Sequence, residues 1–149
     1  MPQPSKKNKK DKRTRIIDAA IDVIAEKGYH LARISDIAKE AAVADGTIYL
    51  YFKNKEAILL TIFEEKMKEL IFLVNREIDQ FTGAQERLRC FIYQHFLQVQ
   101  AHPTLARVLQ IELRQSSRFI HDYRPESLWA YLHIVRDIII DGQKEGVFR

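Results

Sequence analysis

The chain has 149 residues and a net charge of +4, which suits one domain or a small head on a larger body. Hydrophobic residues make up 46% of it, enough for a substantial core, while five glycines and four prolines are too few for a turn-rich β fold. A single cysteine, Cys90, excludes an internal disulfide framework, and no apolar run approaches the ~20 residues of a membrane-spanning helix. We therefore expect an all-α, cytoplasmic protein with no membrane partner.

Positive charge is concentrated at the N-terminus. Residues 1–15 carry seven lysines and arginines against one acidic residue, Asp11, so this segment has a net charge of +6 and the remainder sums to −2. A basic arm on a nearly neutral body is typical of proteins that bind polyanions, although a solvated tail that aids solubility has the same composition. We expect residues 1–13 to form a flexible basic arm.

Residues 14–54 are predicted to form a head of three helices. The first begins at Thr14, where apolar residues start to recur at amphipathic spacing, and Gly28 ends it as a C-terminal cap. The second is short, and its apolar residues are Ile34, Ile37, Ala38 and Ala41.

The segment "VADGTIYLYFKNK", residues 43–55, allows two interpretations. Asp-Gly before β-branched and aromatic residues is a hairpin signal. Both neighbouring segments are helical, however, and a lone hairpin is marginal without further strands. We therefore predict a short third helix, on which Ile48 and Phe52 share the face that anchors it to the head.

A helical body is predicted over residues 55–149. A long helix runs from Lys55 to Phe81, and Thr82-Gly83 ends it. Three further amphipathic segments follow, with their apolar residues within 88–99, 105–113 and 128–139. The sequence contains no internal repeat.

Two short helices joined by a tight turn, after a longer supporting helix, form the helix-turn-helix arrangement that reads DNA. The second short helix enters the major groove, so the outward positions of the third helix, Thr47, Tyr49 and Tyr51, are expected to touch DNA. A threonine can bind a phosphate or contact a thymine methyl group, and tyrosine hydroxyls commonly bind phosphates. Lys53-Asn54-Lys55, at the start of the next helix, also suits a phosphate.

The segment "ISDIAKEAAVADGTIYLYFKNKEAIL" resembles the DNA-binding region of the TetR family of bacterial repressors. The resemblance implies a three-helix head with base and phosphate contacts from the starts of the second and third helices, and Tyr49 and Lys55 would hold the phosphate backbone. The positions in this sequence that match the family's contacts are Ser35, Asp45, Gly46, Thr47, Tyr49, Tyr51 and Lys55.

Three residues depart from the family's pattern. Ala42 stands where the family often has glycine, and a positive φ there would cost alanine about 1 kcal/mol. Arg33 replaces the usual Thr or Ser cap of the second helix, so Ser35 or water must satisfy its N–H groups while Arg33 reaches a phosphate. Asp45 either stabilises the N-terminus of the third helix or accepts a hydrogen bond from a cytosine amino group.

The resemblance also implies that the body binds a small effector and a second subunit. Large side chains in the body are ordinary core residues when taken singly, but together they could line an apolar tunnel. These candidate effector-binding residues are Phe63, Met67, Phe91, Phe96, Trp129 and Tyr131.

The segment "VLQIELRQS", residues 108–116, extends the resemblance to fatty-acid-degradation repressors of the FadR type within the TetR family. That branch binds long-chain acyl-CoA and then releases its operators, which would require cations for the phosphates of the ligand. Arg107 and Arg114 are the main candidates because they lie seven residues apart on one helical face, with Arg89 and Arg118 as further possibilities. Each of these arginines could equally be a surface residue, and a TetR-type repressor that responds to another hydrophobic ligand or drug is the alternative.

Other classes of protein fit less well. The sequence contains no nucleophile elbow, phosphate loop or histidine pair spaced for a metal, so we expect neither an enzyme, a cofactor nor a metal site. A helical interaction module would explain the helices but not the outward tyrosines beside a basic arm. The chain stops at "GVFR", where TetR-type bodies normally continue for two more helices, so the resemblance implies a body that is incomplete at the C-terminus. The complete chain is expected to form a homodimer on a pseudo-palindromic operator.

Overall fold

The computed structural model describes residues 6–115 and 125–149, and the side chains of residues 11–111 and 125–149. Within these ranges the chain contains helices and no strand, as the all-α prediction requires, and residues 43–55 do not form a hairpin. The helices are α1 Lys6–Lys27, α2 Ile34–Glu40, α3 Asp45–Tyr49, α4 Lys55–Ile78, α5 Ala84–Ala101, α6 Pro103–Gln115 and α7 Glu126–Lys144.

The first helix is longer than the sequence analysis predicted. It begins at Lys6, so residues 6–13 belong to this helix. No glycine or proline interrupts this stretch, and lysine and arginine are good helix formers. Gly28 ends the helix as predicted, with φ of +78° and a hydrogen bond from its N–H to the carbonyl of Ile24 at 2.8 Å.

The chain divides into two compact units. The first contains the residues up to Phe63 together with Thr104–Gln115. Its core joins α1, α2, α3, the start of α4 and one residue of α6. The side chains that are completely excluded from solvent are Ile16, Ala20, Ile24, Ile37, Ile48, Ile58, Ile62 and Val108.

Helix α6 lies in the first unit, whereas the sequence predicted a head at 14–54 and placed this helix in a body at 55–149. Val108 is buried in the core of the first unit, and Leu105 packs against the same core. The sequence predicted α6 as a helix but could not assign its apolar face to a partner, because amphipathic spacing shows which face is buried and not what covers it.

The second unit is built around α5 and α7, which pack against each other. The start of α5 meets the end of α7: Arg87 forms an ion pair with Asp141 at 3.1 Å, and the N–H of Ala84 donates to a carboxylate oxygen of Glu145 at 3.1 Å. Together with the pairing of His95 and Tyr131 described below, these contacts show that the two helices run antiparallel.

In the described part of the chain, no helix has both the length and the apolar character needed to span a bilayer. Among the same residues, no three His, Cys, Asp or Glu side chains gather in a way that could hold a metal ion.

Candidate nucleic-acid interface

The connection between α2 and α3 is a tight turn with a left-handed residue. The N–H of Val43 donates to the carbonyl of Ala38 at 2.9 Å, and the N–H of Ala42 donates to that of Lys39 at 3.1 Å. These two bonds form a Schellman motif, in which the residue after the helix adopts positive φ. That residue is Ala42, with φ of +52°. The turn therefore takes the conformation that the sequence analysis identified as unfavourable for alanine.

Arg15 of α1 holds this turn from the side. Its Nη2 donates to the carbonyl of Ala41 and, at 3.2 Å, to the carbonyl of Ala42. Both carbonyls lie at the C-terminal end of α2, where the helix leaves acceptors without partners and where its dipole favours a cation. Arg15 was not among the predicted site residues, because nothing in the sequence shows which helix end a basic residue faces.

The N-terminus of α2 is stabilised by Asp36. The backbone N–H of Arg33 donates to Oδ2 of Asp36 at 3.0 Å, and Nζ of Lys27 lies 3.0 Å from Oδ1. The hydrogen bond from Lys27 and that from the Arg33 N–H together hold the pKa of Asp36 below its ordinary value of 3.8. Asp36 thus performs part of the capping that was expected of Ser35 or water, and the exposed Arg33 and Ser35 lie at this end of the helix.

One side of helix α3 is exposed to solvent and carries both polar and apolar residues. We name this side the reading face. Ile48 is fully buried and fixes the helix to the core, so the residues pointing away from it are exposed. Tyr49 is 57% exposed, and Thr47 is half-buried. The reading face consists of Asp45, Gly46, Thr47, Tyr49 and Leu50.

Leu50 belongs to this face although the sequence analysis did not select it. It caps the C-terminus of α3 and is 77% exposed. Two residues along a helix correspond to a rotation of about 200°, so Leu50 points away from the buried Ile48. That offset from Ile48 was the signal available in the sequence, but no role was predicted for Leu50.

Tyr51 and Phe52 follow α3 and pack against the core of the first unit. Phe52 is buried, as predicted, and Tyr51 is half-buried and packs against the core residues of the first unit. The hydroxyl of Tyr51 therefore extends from a side chain whose ring is already fixed, unlike the freely exposed ring of Tyr49.

Lys55 is the first residue of α4, and its ammonium group lies in the loop between α1 and α2. Nζ donates to the carbonyl oxygens of Tyr29, of Ala32 at 2.8 Å and, at 3.4 Å, of His30. It also lies 4.5 Å from the centre of the Tyr29 ring. An ammonium has three N–H donors, so a phosphate would have to replace one of these partners. The prediction that Lys55 holds a phosphate is not tested by this geometry.

The predicted effector residues differ in their exposure to solvent. Phe63 and Met67 are buried on α4, and Phe91 packs against Tyr131 with ring centres 5.1 Å apart. By contrast, Phe96 and Trp129 are 66% and 48% exposed.

The arginines predicted to bind the phosphates of the effector define no binding geometry among the described residues. Arg107 is exposed, and the side chains of Arg114 and Arg118 lie outside the described residues. Arg89 lines an open depression of about 410 Å³ beside Cys90, Phe81 and Tyr93, and none of the six apolar candidates borders that depression. The effector site stays a prediction.

Two titratable groups of the second unit are held in their neutral forms. Burial raises the pKa of Tyr131 to about 12, and its hydroxyl lies 2.9 Å from Nδ1 of His95. Burial, with a smaller effect from the charge of Glu77, raises the pKa of the Cys90 thiol. A raised pKa disfavours the nucleophilic thiolate, so Cys90 lacks the activation of a catalytic cysteine.

The supporting helix α1, the pair α2 and α3 joined by a tight turn, and the exposed reading face define a helix-turn-helix protein of the DNA-binding class. The chain belongs to the TetR family. Residues 16–62 match the family described as bacterial regulatory proteins, tetR family, and residues 63–149 match the family described as YsiA-like protein, C-terminal region. This assignment confirms the expectation of a transcriptional regulator rather than an enzyme.

Several relatives of the chain are named as regulators of fatty-acid metabolism or degradation. The chain is 46% identical over 140 residues to the fatty acid metabolism regulator protein of Bacillus subtilis, an alignment that covers 94% of this chain and 72% of the relative. It is similar in structure to the fatty acid degradation regulator FadR of Bacillus halodurans, with a TM-score of 0.85 and 40% identity over all of this chain and 74% of that one.

The chain is also similar to FadR of Bacillus subtilis in a structure of that protein in complex with stearoyl-CoA. The comparison gives a TM-score of 0.84 and 46% identity, and the match covers 91% of this chain and 73% of the other. The resemblance stated from the sequence is thereby confirmed at the level of the family and of its fatty-acid regulators.

Proposed function

We propose that this protein is a transcriptional repressor of fatty-acid degradation genes that leaves its operator when a long-chain acyl-CoA binds to the helical body. The observation that carries the proposal is the 46% identity over 94% of the chain to a fatty acid metabolism regulator, since the match extends through head and body alike. The stearoyl-CoA complex of a relative with the same identity supports the class of effector.

The reading face supplies the base contacts in this proposal. Thr47 and Leu50 offer methyl groups to thymine, and the exposed Tyr49 hydroxyl donates to a phosphate. Gly46 lets the DNA backbone approach α3 closely, because no Cβ projects there and no heavy atom lies within 4 Å of the position that one would take. Asp45 stabilises the N-terminus of α3 or accepts from a cytosine.

Other residues would position the head on the phosphate backbone. Arg33 and Ser35 are exposed at the N-terminus of α2, where a cation and a hydroxyl suit a phosphate. Tyr51 would donate its hydroxyl from the edge of α3. Lys55 would add a phosphate contact by exchanging one of its carbonyl partners, and otherwise it orders the loop between α1 and α2.

We assign DNA reading to residues 14–54, added positive charge to residues 1–13, and effector binding to residues 55–149. In a homodimer two heads would bind successive major-groove faces of a pseudo-palindromic operator, about 34–36 Å apart. The apolar candidates for the acyl chain are Phe63, Met67, Phe91, Phe96, Trp129 and Tyr131, and Arg107 and Arg114 are those for the phosphates.

Coupling between effector and DNA requires an element that both can bias. Helix α4 is suited to this because its residues up to Phe63 belong to the first unit and those from Glu64 to the second. Such coupling typically amounts to 1–3 kcal/mol, so a saturating effector would weaken operator binding by about 5- to 150-fold.

The proposal is tested by titrating stearoyl-CoA into a complex of the protein with the duplex it selects from a random-sequence library. We expect release of the duplex by stearoyl-CoA, and no release by free coenzyme A or stearate at the same concentrations. Selection of a duplex that stearoyl-CoA fails to release would disprove the effector and leave a TetR-type repressor with another hydrophobic ligand. Failure to select any duplex would disprove the repressor itself.

A further inference from the structure

The turn before the DNA-reading helix is held in a conformation that its own sequence disfavours. Ala42 has φ of +52°, a left-handed geometry in which the Cβ of an L-residue approaches the following carbonyl oxygen. The direction of α3 relative to α2 depends on the backbone of residues 41–44, since these four residues are the whole connection. A relaxation of Ala42 towards negative φ would therefore reorient the reading face.

Arg15 opposes that relaxation. Its Nη2 donates to the carbonyls of Ala41 and Ala42, so it fixes the two peptide groups that flank the Cα of Ala42. The bonds are charge-assisted, and they lie at the C-terminus of α2, where the exposed carbonyls carry partial negative charge.

The position of Arg15 on α1 makes it a rigid support. The next two residues of the helix, Ile16 and Ile17, are buried in the core of the first unit, and α1 packs against α2. The guanidinium is therefore attached to a fixed scaffold and reaches across 26 residues of sequence to the turn.

We propose that Arg15 is a positioning residue that sets the direction of the reading face by holding Ala42 in its left-handed conformation, without touching DNA itself. This inference rests on the proposed DNA-binding function. It distinguishes Arg15 from the phosphate-binding cations of the head by its role, because its Nη2 donates to two carbonyls of the turn.

The test compares binding to the selected duplex with binding to a shuffled duplex of the same composition, over a range of salt concentrations. Arg15→Gln is expected to weaken binding to the selected duplex by about 10-fold, as expected when charge-assisted bonds are lost from a partly exposed site. Binding to the shuffled duplex and the salt slope should stay unchanged. Arg76→Gln is the matched control, since Arg76 is an exposed arginine of the second unit that pairs with Glu77.

A second substitution makes the mechanism specific. Ala42→Gly removes the Cβ that disfavours positive φ, so the turn no longer needs the arginine. In the Arg15→Gln background, Ala42→Gly should therefore recover about 3-fold of the lost selective binding, an energetic coupling of the kind double-mutant cycles detect.

Each outcome of these experiments either supports or overturns the proposed role of Arg15. Equal losses on both duplexes with a shallower salt slope would show that Arg15 contacts a phosphate, and unchanged binding would show that it positions nothing; both overturn the proposal. If Arg15→Gln alone fails to fold, the double variant decides: restored folding and selectivity support the proposal, and their absence overturns it. A wild-type protein that selects no duplex would instead refute the proposed function.

Discussion

Ala42 is the residue at which local geometry and amino-acid type conflict most directly. The Schellman bonds at the end of α2 require a left-handed residue, and alanine pays for that conformation with a contact between its Cβ and the next carbonyl. Arg15 and the packing of Ile48 against the core hold the turn in place despite this strain.

The strain at Ala42 predicts that Ala42→Gly stabilises the protein by about 1 kcal/mol, because the gain at positive φ exceeds the added entropy of glycine in the unfolded chain. Chemical denaturation of the wild type and the variant measures this difference. Ala130→Gly is the matched control: Ala130 is exposed in the interior of α7 and should lose stability on the same substitution. A destabilising Ala42→Gly would contradict the conformational argument.

For Lys55, the sequence predicted the position of the residue but not the direction of its side chain. The sequence placed a cation at the start of α4, and that position is correct. Its ammonium nevertheless faces the carbonyls of Tyr29 and Ala32, which lie 26 and 23 residues earlier in the chain. A tertiary contact of that separation leaves no signal in local spacing, so the direction of a long flexible side chain could not be predicted.

Among the elements, α3 depends most on its surroundings. It has five residues, too few for an isolated helix to be stable in water, so tertiary packing must maintain it. Ile48 is the contact that does so, being fully buried, whereas Leu50 two residues later is almost fully exposed.

These two residues predict opposite effects from the same kind of truncation. Ile48→Ala should destabilise the protein by about 2–5 kcal/mol, because it leaves a cavity in the core under α3. Leu50→Ala should change stability by less than about 0.5 kcal/mol but weaken binding to the selected duplex. Urea denaturation together with a duplex titration measures both, and equal destabilisation by the two variants would contradict the assigned orientation of α3.

The sequence predicted the existence of most elements better than their boundaries. The short third helix could be predicted because its apolar residues Ile48 and Phe52 stand four apart and no partner strand was available. The start of α1 at Lys6 could not, since lysine-rich segments are compatible with both helix and solvated coil. Helix α4 ends at Ile78 and continues as a turn to Phe81, a difference within the usual fraying of helix ends.

At the scale of the whole molecule, the head was more predictable than the effector site. The proposed DNA contacts lie close together in sequence, from Arg33 to Lys55, so a local motif suffices to propose them. An effector site gathers side chains from distant helices, and sequence spacing does not show that Phe96 and Trp129 are exposed while Phe91 and Tyr131 are buried.

The most direct test of the account is an equilibrium titration of the selected duplex at several salt concentrations, with wild-type protein, Tyr49→Ala and, as the matched control in α5, Tyr93→Ala. We predict binding that weakens linearly on a log–log plot as salt rises, with about 0.9 in slope per phosphate contacted. Tyr49→Ala should bind about 10-fold more weakly with an unchanged salt slope, because a neutral hydroxyl releases no counterion from a phosphate, and Tyr93→Ala should match the wild type. Salt-independent binding, or a Tyr49→Ala variant equal to the wild type, would contradict the claim that α3 carries this protein's DNA-reading surface.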